Sequence, residues 1–111
     1  MSLEILIGNL FLGPFTLLIS YIITKHPPKK INHLYGYRTK RSMRNQETWV
    51  FANRHSNQLL SKAALLTCTV QVISILITNE ETALLIGAIV LVTTLIYSVF
   101  LTEKTLKNTF D

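Results

Sequence analysis

The sequence predicts an all-α membrane protein of three transmembrane helices, N-terminus outside and C-terminus inside. A basic cytoplasmic segment containing an interfacial helix is expected between helices 1 and 2. Three observations carry this reading. Three apolar runs approach or exceed the roughly 20 residues that a helix rising 1.5 Å per residue needs to cross the hydrocarbon. Charged residues are only 15% of the 111, and they are concentrated in one block. That block, residues 25–62, carries Lys25, Lys29, Lys30, Arg38, Lys40, Arg41, Arg44, Arg54 and Lys62 against a single acid, Glu47. A mean hydropathy of +0.35, so unevenly spread, excludes a disordered chain and disfavours an ordinary soluble domain. The whole of 1–111 reads as a single membrane domain, with spans at about 3–24, 60–78 and 82–102 and a cytoplasmic segment at 25–59.

The first span has no charge between Ile5 and Ile23. It contains Gly8, Gly13 and Pro14, which membrane helices tolerate. A signal peptide is disfavoured, because Met1-Ser2-Leu3-Glu4 is not a positive n-region and no small-residue cleavage site comes after it. His26-Pro27-Pro28 ends the helix, since a residue before proline avoids the α region. The second run, Ala63 to Thr78, is extended by Leu59 and Leu60, and Lys62 can snorkel to the headgroups. The third runs from Thr82 to Thr102 and is uncharged until Glu103. Only Asn79-Glu80-Glu81 separates these two, so they form an antiparallel hairpin. That connection has no Lys or Arg, whereas the central segment is rich in both, which places the central segment in the cytoplasm.

Small and polar residues recur along one face of each span. The first has Asn9, Gly13, Thr16, Ser20 and Thr24, and the second has Ala64, Thr67, Gln71, Ser74 and Thr78. The third pairs Ala83 with Gly87 and Thr94 with Ser98. Such seams let helices approach where lipid provides no hydrophobic drive. Gln71 and Asn9 are the intramembrane polar residues that call for hydrogen-bond partners. No Asp, Glu, Lys, Arg or His lies deep in a span, which weighs against a proton- or ion-coupled transporter. Cys68 reads as an inert small residue.

The central segment has the features of a specific site. Gly36 between Tyr35 and Tyr37 reads as a turn. Arg38 offers a planar fork of donors. Thr39, Ser42 and Asn45 are each candidate helix N-caps, with Glu47 then in the first turn. From Asn45 onward a moderately amphipathic helix sets Trp49, Ala52, Ser56, Leu60 and Ala63 against Arg54, Gln58, Ser61 and Lys62. It is read either as an interfacial helix leading into the second span or as one straight helix from Asn45 to Thr78. The pattern Asn32-x-x-Tyr35-Gly36-Tyr37-Arg38-Thr39-x-x-Ser42-x-x-Asn45-x-x-x-Trp49-x-x-x-Asn53, after one span and before two, resembles the SdpI family of bacterial membrane proteins. The resemblance covers most of the chain and matches the signature-bearing half of the namesake, which has a further membrane half ahead of it. It implies an immunity protein of the bacterial cell membrane that guards its host against a membrane-active peptide toxin. It further implies that a cytosolic regulator can be held at the membrane. The residues of the pattern would then form the partner-binding signature.

Other classes fare less well. His26, His33 and His55 match no metal-ligand spacing, so neither a metal nor any other cofactor is expected. No nucleophile-elbow sequence is present, and an enzyme is not expected, although Arg38, Asn45 and Asn53 could grip a lipid phosphate. The basic block carries no nucleic-acid-binding signature. Expected partners are membrane lipids, a peptide toxin and a cytosolic regulator, with oligomer formation left open. The competing reading is a small oligomeric transporter or channel subunit whose seams line a solute path.

Overall fold

The computed structural model describes residues 2–111, and its regular secondary structure is entirely helical. The helices are α1 (Leu3–Phe11), α2 (Gly13–Lys25), α3 (Gln46–Ile77) and α4 (Glu80–Phe110). Three rods are long and apolar enough to cross a membrane: α1 with α2, then α3, then α4.

The caps arise from local chemistry. Ser2 Oγ accepts the Ile5 N–H at 3.2 Å, and Asn79 Oδ1 accepts the Thr82 N–H at 2.8 Å. Asn45, among the three N-cap candidates, starts α3. It forms a reciprocal capping box with Thr48, which satisfies two of the four N–H groups that a helix start leaves open.

Two features differ from the simplest sequence reading. The first span is not one helix but breaks at Leu12, where φ is −82° and ψ is −100°. Pro14 weakens the ladder here, since it has no N–H to donate and its ring crowds the carbonyl four residues back, and the Gly13 N–H is taken by the Gln71 side chain instead of Asn9. The stretch from Asn45 onward, open to two readings, is not a separate interfacial helix but follows the straight course to Thr78. It is α3, which runs 32 residues without interruption, about 48 Å at 1.5 Å per residue. No Gly or Pro lies between Asn45 and Gly87 to break it.

The chain ends sort the connections. At one end Asn9 Nδ2 donates to the Glu80 carbonyl at 3.1 Å, joining the last turn of α1 to the start of α4. At the other, Tyr37 and Arg44 of the central loop bond to Glu103 and Asp111 of α4. α3 packs on both α4 and α2, α1 touches α4, and α2 and α4 barely meet.

The interior is small and polar. Asn9, Gly13 and Ser20, Ala64, Thr67, Gln71 and Ser74, and Ala83 and Gly87 are all buried. Large apolar side chains face outward, from Leu3 to Ile22, Leu65 to Ile77 and Leu85 to Phe100. This inside-out distribution suits a bilayer, where close backbone approach and interhelical hydrogen bonds hold helices together. The bundle is 48 Å long, about 18 Å more than a hydrocarbon core of about 30 Å. The excess is the end that carries residues 26–45, the first half of α3 and the last turns of α4.

Candidate functional site

The central loop folds down onto the first turns of α3 and forms a cap on that end of the bundle. Its anchor is Trp49, fully buried, whose indole N–H donates to the Pro28 carbonyl at 2.6 Å. One turn along, Asn53 grips the loop backbone. Its Oδ1 accepts the Tyr37 N–H at 2.6 Å, and its Nδ2 donates to the Tyr37 carbonyl at 3.3 Å and the Trp49 carbonyl at 3.0 Å. This approach requires glycine at residue 36. Gly36 has φ of +109°, and a Cβ there would lie 2.6 Å from Asn53 Oδ1 and 2.9 Å from Pro28 Cγ.

Asn32 closes the turn before it, with Oδ1 accepting from the N–H groups of Leu34 and Tyr35 at 2.9 and 3.0 Å. The Tyr35 hydroxyl donates to the His26 carbonyl at 3.0 Å. Thr39 and Ser42 bond reciprocally: the Thr39 N–H donates to Ser42 Oγ at 2.8 Å and the Ser42 N–H to Thr39 Oγ1 at 3.2 Å. Buried Ser42 also donates to the Tyr37 carbonyl, and its own carbonyl accepts from the Thr48 hydroxyl at 3.1 Å. All ten signature residues thus belong to the cap's framework, nine through hydrogen bonds to backbone groups and Gly36 through its close approach to Asn53. Arg38 is exposed, with one N–H donating to the His33 carbonyl at 2.6 Å.

The cap is also tied to α4. The Tyr37 hydroxyl donates to Glu103 Oε1 at 2.7 Å; burial first, and then the neighbouring carboxylate, raise its pKa well above the ordinary phenol value. Arg44 pairs with Asp111 at 2.7 Å, and Arg41 lies 3.5 and 3.7 Å from Asp111 and Glu103. The hydrogen bond from Arg44 holds the Asp111 carboxyl below its usual range. His55 and Thr102 share a bond at 3.1 Å. His26, His33 and His55 do not converge, and among the described residues no group of His, Cys, Asp or Glu could hold a metal. Beneath the cap lies a cavity of about 240 Å³ between α2, α3 and α4, bounded by Gly36, Tyr37, Asn53, Leu60 and Val99.

Asn9 and Gln71 meet at the other end. Gln71 Nε2 donates to the Asn9 carbonyl at 2.9 Å and to Asn9 Oδ1 at 3.0 Å, while its Oε1 accepts the Gly13 N–H at 3.0 Å. In an unbroken helix Gly13 would donate directly to Asn9. The amide of Gln71 is inserted into that single bond and bridges the break. Gly13 and Gly87 make room for it, since a Cβ at either would lie within 2.8 Å of a Gln71 side-chain atom.

The match to known proteins falls on the cap, α3 and most of α4. The model of the SdpI/YfhL protein family matches residues 29–101. The chain belongs to the SdpI/YfhL family. A relative, the uncharacterized protein YfhL of Bacillus subtilis (strain 168), is 34% identical over 95 residues, which cover 86% of this chain and 82% of YfhL. No solved structure gives a significant match. With three helices of spanning length, this SdpI/YfhL member is a multi-pass membrane protein.

Several residues that build the cap are not among the site residues expected from the sequence. Pro28 and Thr48 act through a carbonyl and a hydroxyl that carry no spacing signal. Glu103 had a signal, as the acid that ends the third apolar run. Ser61, grouped with the exposed face, is instead turned to α2, where it bonds to Ser20; Asn57 joins them by donating to Thr24 Oγ1 at 2.8 Å.

Proposed function

We propose that this is an immunity-type protein of the bacterial cell membrane that protects its host from a membrane-active peptide toxin. The observation that carries the reading is the family match over 29–101, because it spans the cap together with α3 and most of α4. Membership of this family suggests an immunity-type membrane protein. The excess of Lys and Arg in 25–62 supports N-out, C-in, with the cap in the cytoplasm. There the exposed Lys30, Arg38 and Lys40 offer a basic surface to a cytosolic regulator. Reporter fusions at Glu80 and Asp111 test the orientation: opposite sides are expected, and a cytoplasmic signal from both overturns it. Function is tested by expressing the chain in a toxin-sensitive bacterium and measuring survival under a panel of membrane-active peptides. Raised survival against one of them, lost in Asn53→Leu at equal membrane level, is the expected result. Survival unchanged against the whole panel overturns the immunity reading.

A further inference from the structure

A second groove lies on the outer side of the cap, between the end of α2 and the first half of α3. Its volume is about 670 Å³, and Ile23, Pro27, Lys29, Val50, Arg54 and Gln58 line it. Four observations concern what it holds.

Its depth is set by Asn57, which bonds to Thr24, two residues past Ile22, where the outward apolar belt of α2 ends. Arg54 is three residues, about 4.5 Å along α3, further from that belt. Lys29 lies further out again, near the start of α3, where its carbonyl accepts from Gln46. The groove therefore runs outward from the apolar belt with a cation at two heights.

Those cations are free. Arg41 and Arg44 are engaged by Glu103 and Asp111, whereas the side chains of Lys29, Arg54 and Gln58 have no hydrogen bond or ion pair among the described residues. The groove has no acid in its lining. Finally, Val50 is the one large apolar side chain exposed between Tyr35 and Leu65 among the described residues, and it too lines this groove. An apolar wall beside unpaired cations suits an amphiphile better than a free anion.

We propose that this groove binds the headgroup of an anionic glycerophospholipid. The guanidinium of Arg54 donates to the phosphate oxygens, which its fork fits. Lys29 adds a second positive charge above it, and Ile23 and Val50 cover the apolar glycerol region. The site is independent of any toxin and of which side of the membrane the cap occupies.

The test is lipid binding to the full chain in detergent, measured by native mass spectrometry with phosphatidylglycerol, phosphatidylcholine or inorganic phosphate as probe. Phosphatidylglycerol is expected to bind more tightly than phosphatidylcholine by about fivefold or more, the ratio for roughly one surface cation. Arg54→Gln should erase the preference and Lys29→Gln should halve it or more, while Lys104→Gln on the α4 tail leaves it intact. Both groove side chains lack partners, so unchanged melting temperatures are expected for these variants. Equal binding of the two lipids overturns the proposal. So does an equal loss in Lys104→Gln, which means a diffuse basic surface. Displacement of the lipid by equimolar inorganic phosphate overturns it as well, because the site is then one for a free anion.

Discussion

Asn53 and Gln71 carry out the same task at opposite ends of the molecule. Each is a side-chain amide that pairs with backbone groups left outside regular secondary structure. Asn53 accepts from and donates to Tyr37 of the loop. Gln71 accepts from Gly13 and donates to Asn9 across the broken first span. Each needs a glycine beside it, Gly36 in one case and Gly13 in the other, because a Cβ would lie 2.6 or 2.7 Å from the amide oxygen. The difference is the surrounding solvent. The Asn53 cap lies beyond the outward apolar belts of the helices, where on the proposed topology water can replace a lost partner. Gln71 lies within the apolar belt, where nothing else can. Identical chemistry is therefore a matter of loop shape at one end and of helix integrity at the other.

Four tests break or sharpen this comparison. Trp49→Ala is expected to have the largest effect, about 3–5 kcal/mol for emptying a fully buried aromatic site. Limited proteolysis should then cut at Lys29 to Arg44 while the spans stay protected. A loop that stays resistant would mean that Asn53 holds it unaided. Gly13→Ala comes next. Its Cβ would lie 2.6 Å from Cys68 Sγ and 2.8 Å from the Cys68 backbone nitrogen, so a loss near 3 kcal/mol, the upper range for overpacking, is expected. Gly8→Ala is the control. It meets the flexible tip of Leu84 at 3.1 Å and should shift the melting temperature far less.

The third test sets the two amides against each other. Gln71→Leu strands the Gly13 N–H and Asn9 Oδ1, and about 2 kcal/mol is expected. Asn53→Leu should cost roughly 1 kcal/mol, since water can reach the loop. Equal losses in detergent and in bilayer would show that water reaches both sites, and the contrast of solvents would be lost. Smallest is Arg38→Lys, which exchanges one exposed donor for another and should change stability by under about 0.5 kcal/mol. If it nonetheless abolishes protection in cells, while Lys40→Gln does not, the Arg38 fork meets a partner outside this chain.

The parts of this fold that were legible in the sequence depend on short-range periodicity. Of the two seams, Asn9, Gly13 and Ser20 and Ala64, Thr67, Gln71 and Ser74 are buried, whereas Thr16 is half-buried and Thr24 and Thr78, at the span ends, are exposed. Asn45 carries the side-chain chemistry of an N-cap, and it is one. What was not legible depends on long-range choice of partner. Tyr37 and Glu103 are 66 residues apart, and no local pattern pairs them. Pro14 announced a weak point in the first span, but a tolerated proline and a broken helix read alike until the position of Gln71 is known. Arg38 offers a planar fork of donors by residue type alone, and within the described residues one of them meets the His33 carbonyl.

The break at Leu12 also sets an order of events during biogenesis. The first span leaves the ribosome with its ladder interrupted by Pro14, and Gln71, which fills the gap, is made 62 residues after Asn9. At about 5–20 residues per second, that is an interval of roughly 3–12 s. During this time the nascent segment can keep its own Gly13-to-Asn9 bond and sit in the bilayer as a straighter rod. Arrival of the second span replaces that bond with the glutamine bridge. The bend is thus a property of the assembled bundle, acquired late, and a fragment ending at Lys25 should show more continuous helix by NMR than the same residues do in the full chain.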